Sequence, residues 1–127
     1  MLKHLLVALT LFLVLDALYL GTTSNYWNNV LLRIQNSNLN VNLISAAFVY
    51  FLIFFGWYYF VYSSYLVHNS INTAIKDAFL LGLTTYGIYE FTNYAIFDKW
   101  DITSVLMDMS WGAILYTLVT YLTLTFV

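Results

Sequence analysis

Three carboxylates in this chain, Asp16, Glu90 and Asp108, lie inside long apolar runs. Glu90 falls in the stretch YGIYEFTN, Tyr86 to Asn93, within an apolar segment from Ala78 to Phe97. A carboxylate at the centre of a membrane-spanning helix costs about 2.5–3.5 kcal/mol on insertion scales, and less off-centre. Acids placed this way are expected to turn inward and share a partner, a proton or an ion. Their neighbours fit that expectation. Tyr86, Glu90 and Asn93 recur at i, i+4 and i+7, forming one polar stripe with Tyr89 alongside and Gly82 one turn earlier. Trp111 and Gly112 follow Asp108 on its own helical face, and Tyr19 follows Asp16 by three residues. The candidate proton- or ligand-binding set is therefore Asp16, Tyr19, Tyr86, Glu90, Asn93, Asp108 and Trp111.

Carboxyl, amide and phenol oxygens suit protons or hard cations such as Na⁺, Mg²⁺ or Ca²⁺. Clustered acids in a low-dielectric site share protons. Other chemistries are excluded by composition or position. The chain has no cysteine, which removes disulfides, thiolate metal sites and cysteine nucleophiles. The histidines, His4 and His68, fall near the face opposite the acids, so neither a Ser-His-Asp triad nor a His-carboxylate metal site can assemble within one chain. Lys3, Lys76 and Lys99 sit at predicted helix ends, away from any buried Schiff-base position. Three functional classes fit what is left. One is a site that exchanges protons or binds a small cation or polar ligand, in a transport or channel-like role. Another is a membrane enzyme whose acid and carboxylate move protons on a lipid or isoprenoid. The third is a structural or assembly subunit in which the acids hold helices together. The sequence specifies no cofactor.

The elements that must position these residues follow from composition. Of 127 residues, 62% are hydrophobic and only 8% charged, with a mean hydropathy of +0.79. A soluble domain carries about a quarter charged residues to wet its surface. The chain is therefore read as an all-α, multi-pass membrane protein, a single domain over 1–127, with membrane lipid as its surroundings. A net charge of -2 without a basic cluster argues against nucleic acid. Apolar runs predict four spans, over about 5–20, 43–67, 78–97 and 102–127, each near the roughly 20 residues a bilayer requires. Asp16 interrupts the first run where a signal-peptide cleavage site would stand, so that segment is read as an uncleaved span.

The polar link from Thr22 to Asn42 carries Trp27, Val30, Leu31 and Ile34 at helical spacing. That pattern predicts a short interfacial helix over about 26–34, with Arg33 towards headgroups. His68 to Asp77 is read as a second polar link, and Asp98 to Asp101 as a tight turn whose Trp100 suits the interface belt. Lys3 and Lys76 against Arg33 and Lys99 leave the positive-inside count even.

With about 1.5 Å rise per residue, the three acids lie roughly 7, 12 and 10 Å below one face. Ala17 and Gly21 form a small-xxx-small pair suited to close helix approach. The half near the termini is mostly Leu, Val, Phe and Tyr, which argues against a through-pathway within one chain. Thr117, Thr120 and Thr123 offer a continuation, and a seam between protomers is the alternative. The aromatic flanks favour contacts in a homo-oligomer.

Three segments carry a family resemblance: LDALYLG (Leu15–Gly21), YGIYEFTN (Tyr86–Asn93) and DMSWG (Asp108–Gly112). They resemble the signature segments of domain-of-unknown-function family 2177, a set of small membrane proteins, and the likeness covers nearly the whole chain. In that family Trp more often stands at the position of Tyr19, and Asp at that of Glu90. Glu90 keeps the charge but reaches one methylene further, which argues against a tightly fixed metal geometry. The resemblance implies that Asp16, Glu90, Asn93, Asp108 and Trp111 belong to one shared site, and it supplies no activity.

Overall fold

Long apolar runs uninterrupted by proline leave the backbone little alternative to helix, because every buried N–H and C=O must be paired within the segment. The computed structural model describes residues 1–38 and 40–127 and is all-helical over them. Helix α1 spans Leu2–Gln35, α2 Leu43–His68, α3 Ile71–Ile96 and α4 Ile102–Phe126. Their ends are marked by side chains. Asn42, Ser70 and Asp101 cap the starts of α2, α3 and α4, accepting from the backbone N–H three residues on. Asn36 and Asn69 close α1 and α2 in the left-handed conformation.

Two links expected from polarity are helical instead. No separate interfacial helix exists over 26–34, because α1 runs unbroken through that segment. The reason lies in the residues that read as a loop. Thr22, Thr23 and Ser24 fold their hydroxyls back onto the carbonyls of Leu18, Tyr19 and Gly21 at 2.7–3.2 Å, satisfying themselves within the helix. Similarly, α3 begins at Ile71, so the link after His68 is only Asn69 and Ser70.

Helix α2 contains a π-helical turn, Tyr58–Tyr62. The wider turn brings Trp57, Val61 and Tyr62 all inward, each fully buried. Phe12 of α1 meets Trp57 and Tyr116 edge-on, at 6.1 and 5.2 Å between ring centroids, and this cluster forms the core at the end of the bundle near the termini. A smaller cluster of Val30, Trp100 and Val105 closes the other end. The acids lie between the two.

The closest approach is between α3 and α4. A Cβ on Gly82 would strike the Gly112 carbonyl and come within 2.9 Å of the Tyr116 ring, while one on Gly112 would strike the Tyr86 ring. The small pair anticipated on α1 is not a packing seam: Gly21 has nothing within 4 Å of its Cβ position, and Ala17 is exposed.

Helices α1, α2 and α4 are long and apolar enough to cross a membrane. At about 1.5 Å per residue, the 26 residues of α3 match α2 and α4 in length. Its polar residues, Lys76, Asp77 and Glu90 among them, lower its hydropathy.

Candidate functional site

Each of the three acids comes from a different helix, and aromatic donors from neighbouring elements hold all of them. Asp16 of α1 is 7% exposed. Its Oδ2 accepts from the Tyr50 hydroxyl of α2, and its Oδ1 from Trp111 Nε1 of α4 at 3.0 Å. Trp111 in turn stacks on Tyr19, with ring centroids 4.6 Å apart and planes 15° from parallel. The Tyr19 hydroxyl crosses to Asp108 and donates to its Oδ1 at 3.3 Å.

Glu90 of α3 is 1% exposed and accepts at Oε1 from Trp100 Nε1 at 2.9 Å. Its carboxyl lies beside that of Asp108, close enough for the two to interact directly. Two buried carboxyl groups set side by side favour sharing one proton over carrying two charges.

Asp16 and Asp108 both line a cavity of about 470 Å³ among the four helices. Tyr19, Tyr86 and Tyr89 contribute phenol rings to its wall, and Thr85 a hydroxyl. Leu20, Val49 and Ile53 make the remaining wall apolar. Glu90 does not line it and reaches it only through Asp108.

Most of the residues singled out in the sequence are therefore brought together: Asp16, Tyr19, Tyr86 and Asp108 at the cavity, Trp111 on Asp16, and Glu90 behind Asp108. Asn93 is not; it lies half-buried beyond Glu90 and outside the cavity wall. Nor do the three acids converge on one point. Among the described residues no group of three acids or imidazoles could jointly hold a metal ion. The arrangement is a pair plus one, with the Trp111–Tyr19 stack joining the two parts.

Two functional neighbours escape a reading of the sequence. Tyr50 is a phenol in the run LISAAFVYFLIFF, and its type alone, the one hydrogen-bonding side chain in the middle of that run, is the signal. Trp100 is expected in the interface belt but is 6% exposed and bonded to Glu90.

Beyond the membrane-spanning part, Asp101 joins α1 to α4. It accepts from Ser104 N at 2.7 Å, from Tyr26 at 3.1 Å and from Arg33 at 2.9 Å. Partial burial opposes its ionisation, but hydrogen bonds from Ser104, Arg33 and Tyr26 outweigh it and hold the carboxyl at about 2.

The family model described as "Predicted membrane protein (DUF2177)" matches residues 1–125. The chain belongs to that family. With three helices long and apolar enough to cross a bilayer, it is a membrane protein. Comparison with curated proteins and with solved structures gave no match.

Proposed function

We propose that this member of family 2177 carries a membrane-embedded acidic site that exchanges protons with a small cation or polar ligand held in the cavity. In this reading α3 is a fourth crossing, and the segment of α1 beyond the bilayer lies at its surface. At about 51 Å for 34 residues, α1 exceeds a hydrocarbon core of roughly 30 Å. The observation that carries the reading is buried Glu90 set beside Asp108, whose carboxyl lines the cavity. A ligand cation beside Asp108 would compete with the shared proton for the same oxygen, so cation entry and proton departure are linked by charge. Glu90, the most buried acid, stores the proton, and Asp108 passes it to the cavity.

Proton flux into proteoliposomes under an imposed gradient, with Glu90→Gln as comparison, tests this. Flux in wild type that the substitution removes is expected. Equal flux in both, or none in either with the protein folded, would overturn the reading.

A second reading is favoured by the apolar flank of Leu20, Val49 and Ile53 beside the two acids. There, the site protonates and deprotonates a lipid or isoprenoid, with Asp108 as acid and Asp16 as base. Chemically altered lipid appearing with wild type, and not with Asp108→Asn, would single out this reading.

A further inference from the structure

Taking the acidic site as the proposed ligand-binding site, we infer that its ligand is a lipophilic organic ammonium ion, with the charged head between Asp16 and Asp108 and an alkyl tail leaving towards the bilayer. Three features of the cavity argue for each part of that ligand.

Charge comes first. Two carboxyl groups line the cavity, and its wall contains no lysine, arginine or histidine. An anion would meet two carboxyl groups and no countercharge, leaving hydroxyl groups alone to hold a phosphate-bearing headgroup. Asp16 accepts one bond on each oxygen, from Tyr50 and Trp111, and a carboxylate has about four lone-pair sites. It retains room for a cationic group.

The kind of cation follows from the rest of the wall. A small inorganic ion demands a dense shell of oxygen ligands at short distance. This wall offers mainly hydrocarbon and phenol rings around about 470 Å³, far more space than a stripped ion fills. Alkylammonium groups have the opposite requirement. They are held by aromatic faces, whose quadrupole attracts a diffuse cation without replacing a hydration shell. Tyr19, Tyr86 and Tyr89 supply those rings, and Tyr19 is fixed in place by its stack on Trp111.

The tail follows from the mouth. Leu20, Val49 and Tyr89 are 44%, 51% and 54% exposed, so the rim lies on the apolar outer surface of the helices. A ligand reaching the acids from this side passes between hydrocarbon walls and gains from burying a chain of its own.

The test is equilibrium dialysis of the purified full chain in maltoside micelles against radiolabelled octyltrimethylammonium. Tetramethylammonium, decanol and octyl sulfate serve as comparators. Saturable binding of one octyltrimethylammonium per chain is expected, with tetramethylammonium at least about tenfold weaker and neither decanol nor octyl sulfate saturating. Asp16→Asn should weaken binding by about tenfold or more. So should Leu20→Trp, which fills the mouth from an exposed position and leaves the bundle core untouched, so it decides the matter should Asp16→Asn fail to fold.

Equal binding of decanol or octyl sulfate would reduce the cavity to a general apolar pocket and overturn the assignment. Tetramethylammonium binding as tightly as the octyl compound would mean a small aqueous cation instead. Binding indifferent to both substitutions would place the ligand elsewhere. Any of these results alongside Glu90-dependent proton flux would sink the ligand and spare the acidic site. Carboxylate-dependent binding without flux would uphold the ligand and remove proton exchange.

Discussion

Glu90 is buried between a donor and an acid, which makes its two carboxyl oxygens separable by substitution. Oε1 accepts from Trp100. The other side of the group faces Asp108, with which it shares a proton in the proposed reading. Glutamine reproduces both contacts, with its carbonyl towards Trp100 and its amide donating to Asp108, and loses only the exchangeable proton. Glu90→Gln is expected to unfold within about 1 kcal/mol of wild type in a denaturant titration. Glu90→Ala should cost several times more, since it opens a cavity and orphans the Trp100 N–H. Similar costs for the two variants would mean that bulk matters at this position and hydrogen bonding does not. Trp100 gives a parallel comparison. Trp100→Phe removes a donor on which a buried oxygen depends, and should destabilise by about 1–3 kcal/mol beyond the loss of ring volume. In a Glu90→Ala background the same Trp100→Phe change loses volume but no bond to this oxygen. The difference between the two melting shifts isolates the Glu90 contact.

At the scale of helices, the acids are held in place by how closely α3 and α4 approach. Gly82→Ala should destabilise the bundle by about 1–3 kcal/mol, because the new methyl meets a backbone carbonyl that cannot give way. Gly21→Ala, into open space, should be neutral or slightly stabilising, and thermal melts followed by circular dichroism would separate the two. The sequence suggested the reverse, since Ala17 and Gly21 have the spacing of a packing motif whereas Gly82 and Gly112 lie on different helices. Spacing within one helix says which residues share a face and leaves open which face meets a partner.

Polarity misleads in a related way over Thr22 to Ser24. Hydroxyls that read as loop are satisfied inside α1, and the helix continues to bring Arg33 beside Asp101. That contact ties the end of α1 to the start of α4, and it has a pH signature. The Asp101 carboxyl is held at about 2 against an ordinary value of 3.8. A carboxyl depressed by folding contributes stability above its unfolded value, and the contribution disappears as pH falls through its folded value. The stability gap between wild type and Asp101→Asn, measured by denaturant titration, should therefore be full above about pH 4 and close towards pH 2. A gap that is flat across this window would mean that Arg33 and Asp101 contribute nothing measurable.

For the molecule as a whole, the class and the acids were legible in one dimension. A charge inside an apolar run is visible without knowing what surrounds it, and so is the need for an inward partner. What surrounds it is not visible. Tyr50 reaches Asp16 from 34 residues away, and Trp111 from 95. The π-turn that re-aims α2 leaves no distinct mark in YYFVY. Depth alone suggested that three acids form one cluster. The helices instead set Glu90 beside Asp108 and leave Asp16 on its own aromatic donors, with the Trp111–Tyr19 stack between. In the proposed reading, that division lets one part store a proton while the other meets a ligand.

The proposed shared proton has a direct spectroscopic signature. Infrared spectra of the protein at neutral pH in light and heavy water should contain the carbonyl stretch of a protonated carboxylic acid. The band should be lost in Glu90→Gln and altered in Asp108→Asn, and it should persist in Asp16→Asn. Absence of a protonated-acid band in wild type, or its survival in Glu90→Gln unchanged, would contradict a proton held between Glu90 and Asp108.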